Sequence, residues 1–297
     1  MTFGRQPQDD RDHMNQQPYG QSQGQPTQPL YGQGYQNHQG YQTSTGSQAP
    51  SGQYGYAAQS ASGRAPIDAQ LAYSYERTKR TSIASAYGQM TIGLLITAVV
   101  AIVSQMTGAL VSFLVATGGL GWIGLAIVQV VMAVTLGARV MKMRTGTAYA
   151  MFYVYAALMG FTLSSIFLVY DLGSIGMALG LTIGFFVVLT MLALTTKIDM
   201  LKAGPILMVA LIVLIVGQVI LMFISPSNTI MMAISAVGLL IFAGLTAYDA
   251  QRTRALFAQY ATNLDMIKRL SIVCALSLYL DFVNMFLYLL RLFGGRN

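Results

Sequence analysis

The sequence predicts an all-α integral membrane protein with seven transmembrane helices behind a disordered polar tail, and three observations predict it. Only 9% of the 297 residues are charged while 54% are hydrophobic, against about 25% charged in soluble domains. The apolar residues gather in runs of roughly 20, the length that crosses a hydrocarbon core as a helix. The basic residues cluster in alternate connections between those runs, as the positive-inside rule requires.

Residues 1–66 form the first unit. Fragments such as PYGQSQGQ, LYGQGYQ and GQYGY make them a Gln/Gly/Tyr/Ser-rich stretch. Such a segment buries too little apolar surface to offset the entropy of ordering, so a disordered cytoplasmic tail is expected. Self-association through its tyrosines and glutamines is the alternative role. The tail has no signal-peptide h-region, which leaves membrane insertion to the first span.

Residues 67–297 form the transmembrane domain. After a polar, basic approach, spans are expected at Tyr87–Gln105, Leu120–Ala138, Ala148–Tyr170, Gly173–Thr195, Gly204–Ile224, Thr229–Ala247 and Leu270–Leu290. The stretch Gly108–Thr117 is apolar but too short to cross and is assigned to a loop. Arg77, Lys79 and Arg80 precede span one; Arg139, Lys142 and Arg144 follow span two; Lys197 and Lys202 follow span four; Arg252, Arg254, Lys268 and Arg269 follow span six. The connections after spans one, three and five hold no Lys or Arg. The N-terminus is therefore expected in the cytoplasm and the C-terminus outside, with Arg291 and Arg296 running against the rule. The net charge of +7 thus reads as an orientation signal, not a nucleic-acid surface. Gly176, Gly180 and Gly184 form a small-xxx-small stripe on span four, expected to pack within the bundle, with dimerisation as the alternative.

The acidic residues narrow the search for a site. Asp9, Asp10 and Asp12 lie in the tail, Asp68 and Glu76 before the membrane, and Asp171, Asp199 and Asp265 in connections. Asp249 ends span six and Asp281 lies deep in span seven. A carboxylate at the bilayer centre costs about 2.5–3.5 kcal/mol on insertion scales, and such groups face the bundle interior or water. Ser277, Asp281, Asn284 and Tyr288 fall at i, i+4, i+7 and i+11, on one helix face. The bland alternative for Asp281 is a buried aspartate hydrogen-bonded to neighbouring helices. For Asp249 it is an interfacial ion pair with Arg252 or Arg254. Two carboxylates in a low-dielectric interior can bind a hard cation such as Ca²⁺ through oxygen, or share a proton because double ionisation is disfavoured. Linear spacing leaves open whether the two meet.

Several chemistries find no residues. Both histidines, His13 and His38, lie in the tail, so no span supplies one to haem, zinc or a Ser–His pair. There is no P-loop pattern, Ser164 and Ser165 have no base beside them in sequence, and no stretch matches the GxGD pattern of intramembrane aspartyl proteases. The lone Cys274 makes no intrachain disulfide. A non-enzymatic membrane protein without a cofactor is the expectation.

The pairing of GLTAYDAQRTR with ALSLYLDFVNMFLYLLRLFG some thirty residues later, supported by MGFTLSSI in span three, resembles the Bax inhibitor-1 family (the transmembrane Bax inhibitor motif proteins) in its bacterial branch. The resemblance covers residues 75–295. It implies six helices surrounding a central seventh, residence in the cell membrane, and a pH-sensitive calcium leak gated by an aspartate dyad, which falls on Asp249 within AYDAQ and Asp281 within LYLDF. It further implies a basic residue after span two that latches the span-six aspartate, with Arg139, Lys142 and Arg144 as the candidates. Some members carry a glutamate in span two; here Gln129 is the nearest polar group. The family also contains members resembling non-transporting regulators, which bind a membrane protease or another membrane partner. That is the competing expectation, and a proton-coupled solute carrier is a third.

Overall fold

The computed structural model describes residues 67–295 apart from 222, 225, 226 and 262; the expected disordered tail, at 1–66, and Arg296 lie outside the described residues. Nine α-helices occur among the described residues: α1 (Ile67–Thr107), α2 (Ala109–Thr117), α3 (Gly119–Arg139), α4 (Thr145–Leu163), α5 (Ile166–Val169), α6 (Leu172–Thr195), α7 (Gly204–Leu221), α8 (Asn228–Gln259) and α9 (Leu264–Phe293). Seven stretches are long and apolar enough to cross a membrane, and they coincide with the seven expected spans. In hydrocarbon every backbone N–H and C=O needs an internal partner, which only a continuous helix gives a single segment.

Span three is α4 with its short continuation α5. The break falls at Ser164 and Ser165, whose hydroxyls donate to the Phe161 carbonyl (2.6 Å) and the Thr162 carbonyl (2.8 Å). Serine hydroxyls that bond back onto the preceding turn bend helices in this way. The segment assigned to a loop, Gly108–Thr117, is instead helical as α2. It is flanked by Gly108 and Gly118, both at φ 64°. Those left-handed glycines turn the chain sharply at each end, and a helical turn satisfies the backbone of ALVSFLVAT where an open loop in an apolar setting would not.

α9 is the centre of the bundle: 72% of its most apolar stretch is buried, against 6–28% for the other spans. It packs against α1, α3, α4, α6 and α8, while α7 packs mainly on α8 and reaches α9 through Gln218 and Tyr288. The main core is built on it from Ile272, Leu278, Tyr279, Met285 and Leu289, with Phe152 and Tyr155 of α4 against it. Without a hydrophobic effect between helices in lipid, close packing and hydrogen bonds hold such a bundle. Both occur where α1 crosses α4. Gly160 meets the backbone of Thr97 there so closely that a Cβ would overlap the Thr97 carbonyl. Thr97 Oγ1 lies 2.9 Å from the Ala156 carbonyl and 2.7 Å from the Tyr279 hydroxyl. A hydroxyl has one proton to give, so with Thr97 donating to a carbonyl, Tyr279 donates to Thr97 and one knot ties α1, α4 and α9.

The glycine stripe on α6 does not pack within the bundle. Gly176, Gly180 and Gly184 are exposed, and a Cβ on any of them would meet nothing within 4 Å. The buried face is Ser174, Ala178, Thr182, Phe186 and Thr190. Phe186 stacks edge-on against Phe282 of α9 at 5.6 Å, and this aromatic contact turns the glycine face outward.

Candidate functional site

Two helices bring the intramembrane acids together. α8 carries Asp249 between Thr246 and Thr253 on a buried face, and α9 carries Asp281 among core residues. Asp249 is 8% exposed and Asp281 4%. The two carboxyl groups are close enough to hydrogen-bond once one of them holds a proton. Oδ2 of Asp281 is buried and meets no donor among the described residues. A bare carboxylate so placed carries a large desolvation cost.

Both acids line one cavity of about 510 Å³ between α3, α4, α7, α8 and α9. The stripe read from the sequence faces it, since Ser277, Asp281, Asn284 and Tyr288 are all in the lining. Asn284 donates to the Leu280 carbonyl of its own helix at 2.8 Å. Its amide oxygen is thereby left as an acceptor. Tyr288 accepts a hydrogen bond from Gln218 on α7 and packs so tightly on Gly238 of α8 that a Cβ there would stand 2.5 Å from the ring. Gln129 of α3 donates to the Leu158 carbonyl (3.1 Å) and the Thr162 hydroxyl (2.9 Å) of α4. The cavity is thus a mostly apolar chamber with a few oxygen-bearing groups, two of them carboxyls.

The basic partner of Asp249 is Arg252, one turn along α8, at 3.7 Å. This is the ion pair that the sequence left open as the alternative for Asp249. Arg139, Lys142 and Arg144 are exposed and form no ion pair with Asp249 among the described residues. α3 packs mainly on α4 and, less closely, on α9, whereas the i,i+3 spacing keeps Arg252 beside its acid. Arg254 instead donates to the Leu194 carbonyl at 3.1 Å. Gln251 binds the same connection three times, through Met200 N (2.8 Å) and the carbonyls of Ala193 (2.8 Å) and Ile198 (2.9 Å). Sequence reasoning missed Gln218 and Gln251. Gln218 carried a usable signal, a lone amide inside an apolar run.

The fold and site define a class: a polytopic helical membrane protein whose central helix presents one carboxylate to a second on its neighbour. The sequence model of the family described as "Inhibitor of apoptosis-promoting Bax1" matches residues 79–297. The chain is also 38% identical over 218 residues to the inner membrane protein YbhL of Escherichia coli strain K12, covering 73% of this chain and 92% of that one. It is 35% identical to a protein of Borreliella burgdorferi (73% and 93% covered) and 31% identical to one of Deinococcus radiodurans (77% and 97% covered). The chain belongs to the Bax inhibitor-1 family.

Proposed function

We propose that this chain is a pH-sensitive calcium leak of the cell membrane, gated by the Asp249–Asp281 pair, with its N-terminus in the cytoplasm. The observation that carries the reading is the meeting of two buried carboxyls from adjoining helices on one oxygen-bearing cavity. With one proton shared between them, the pair is compact, the orphaned Oδ2 of Asp281 gains a donor, and α8 stays against α9. Loss of that proton leaves two like charges in a low-dielectric interior, and their repulsion favours separation of the helices. The freed carboxylates, with Ser277 and Asn284, are hard oxygen ligands of the kind Ca²⁺ takes. Acid therefore favours the closed form. Arg252 neutralises Asp249 on one side only and leaves Asp281 to its partner.

The test is Ca²⁺ entry into dye-loaded liposomes, recorded against pH for wild type, Asp249→Asn and Asp281→Asn. The expected result is wild-type flux that rises with pH and a flattened pH response in both variants. If either variant keeps the wild-type pH response, the gating mechanism is wrong. Absence of flux above empty liposomes at every pH would favour the non-transporting regulator.

A further inference from the structure

A second cavity, of about 590 Å³, lies on the other side of α9 from the acids. Its walls are the later half of α1, the α4–α5 end and the first half of α6, and its floor is Phe282, Val283 and Phe286 of the central helix. α1 packs on α4, α9 and α8, and α6 packs on α8 and α9, but α1 and α6 barely meet, and along residues 94–106 and 172–179 the cavity lies between them. The ring around α9 is therefore open between them. The mouth residues are exposed, with Met106 at 82%, Leu172 at 74% and Ile102 at 50%, while Val283 on the floor is 3% exposed. Exposed faces of membrane spans border hydrocarbon, so the gap opens sideways onto acyl chains.

The lining decides what can enter. Of its residues only Thr97 and Gln105 are polar. The Thr97 hydroxyl already serves the Ala156 carbonyl and Tyr279, and Gln105 stands at the end near the α1–α2 turn. Water needs two to four polar partners to stay in a cavity, and an ion needs more. Neither finds them here. The long axis runs from Met106 and Leu172, at the membrane face opposite the basic connections, to Leu94 and Phe282 near mid-bilayer depth. That is the course of a lipid chain descending from a headgroup at that face.

We propose that this cleft is a binding groove for one acyl chain of a bilayer phospholipid, which completes the ring at the gap between α1 and α6 and rests directly on the central helix. The groove is independent of the calcium reading and stands or falls separately. Because Phe282 and Val283 directly follow Asp281, the chain bears on the face of α9 that backs the acid cavity.

The experiment uses the full-length protein in liposomes containing phosphatidylglycerol with a photoactivatable diazirine at mid-chain, followed by peptide mapping of the adducts. Adducts are expected on Val283 or Phe286, which are shielded from ordinary boundary lipid, as well as on exposed residues of every span. Gly176→Phe fills the groove from the α6 wall, where a Cβ has open space, and is expected to reduce the α9 adducts several-fold while leaving the others. Gly180→Phe, one turn further and outside the lining, is expected to leave them unchanged. Protection of buried Cys274 checks that each variant is folded; should Gly176→Phe fail that check, Ala98→Phe fills the groove from the α1 wall with the same expected loss. Adducts confined to exposed residues would overturn the proposal. So would α9 adducts that persist in the folded filling variant.

Discussion

Adding one methyl group at Gly160 tests the packing on which the bundle rests. In Gly160→Ala the new Cβ would overlap the Thr97 carbonyl oxygen and stand 3.0 Å from both Thr97 Cα and Val100 Cβ, where ordinary contact begins at 3.4 Å. Two of these neighbours are backbone, so no side-chain rotation relieves the clash and α1 must move away from α4. Overpacking of this kind costs about 1–3 kcal/mol. The same movement stretches the Thr97–Ala156 and Thr97–Tyr279 hydrogen bonds, each contributing about 0.5–1.5 kcal/mol. A total of about 2–6 kcal/mol follows, and at roughly 2–4 °C per kcal/mol the thermal midpoint should fall by on the order of 4–24 °C. The protein carries its own reporter: Cys274 is its one cysteine and is 4% exposed, so reaction with a thiol-sensitive dye during heating reads the opening of the bundle. Gly176→Ala, with open space around its Cβ, is the control for helix propensity and should leave the midpoint unchanged or slightly raised. If Gly160→Ala melts with Gly176→Ala, the close crossing of α1 and α4 does not hold the fold.

Thr97→Val keeps the shape but strands the Tyr279 hydroxyl in the core, and should cost about 1–3 kcal/mol in the same assay; Thr91→Val, whose hydroxyl only bonds back to its own exposed helix, should be neutral. Asp171 caps α6 by accepting from the Ser174 hydroxyl (2.6 Å) and N–H (2.8 Å), and these bonds hold its carboxyl below the ordinary carboxylate range. Because the folded value is the lowered one, the cap's contribution is complete above that ordinary range and is lost as pH falls through the lowered value. The difference in thermal midpoint between wild type and Asp171→Ala should accordingly be full at neutral pH and fade in strong acid. Gln251→Leu removes three hydrogen bonds to the connection between α6 and α7, so tryptic cleavage at exposed Lys197 should accelerate. In sealed vesicles the cut should appear only when trypsin reaches the cytoplasmic face, and cleavage from the opposite face would reverse the proposed orientation.

The sequence by itself determined the solvent, the number of spans and the two acids. These are one-dimensional properties: a bilayer demands a run of apolar residues of set length, and a carboxylate inside such a run stands out against its neighbours. The polar face of α9 was legible for the same reason, since helical periodicity alone aligns Ser277, Asp281, Asn284 and Tyr288. What faces what is another matter. In lipid both the buried and the exposed sides of a span are apolar, so the pattern that orients a helix in a soluble protein is muted. Gly176, Gly180 and Gly184 therefore read as a packing stripe when the packed face of α6 is the one with Phe186. The same blindness hid the helical state of α2 and the gap between α1 and α6. Only the tertiary structure set Asp249 beside Asp281, across 32 residues of chain, and gave Asp249 a counter-ion from its own helix instead of one from the end of α3. Those outcomes depend on the angle and distance at which helices cross, which Gly160, Gly238 and the Thr97–Tyr279 bond fix through contacts between residues far apart in the chain.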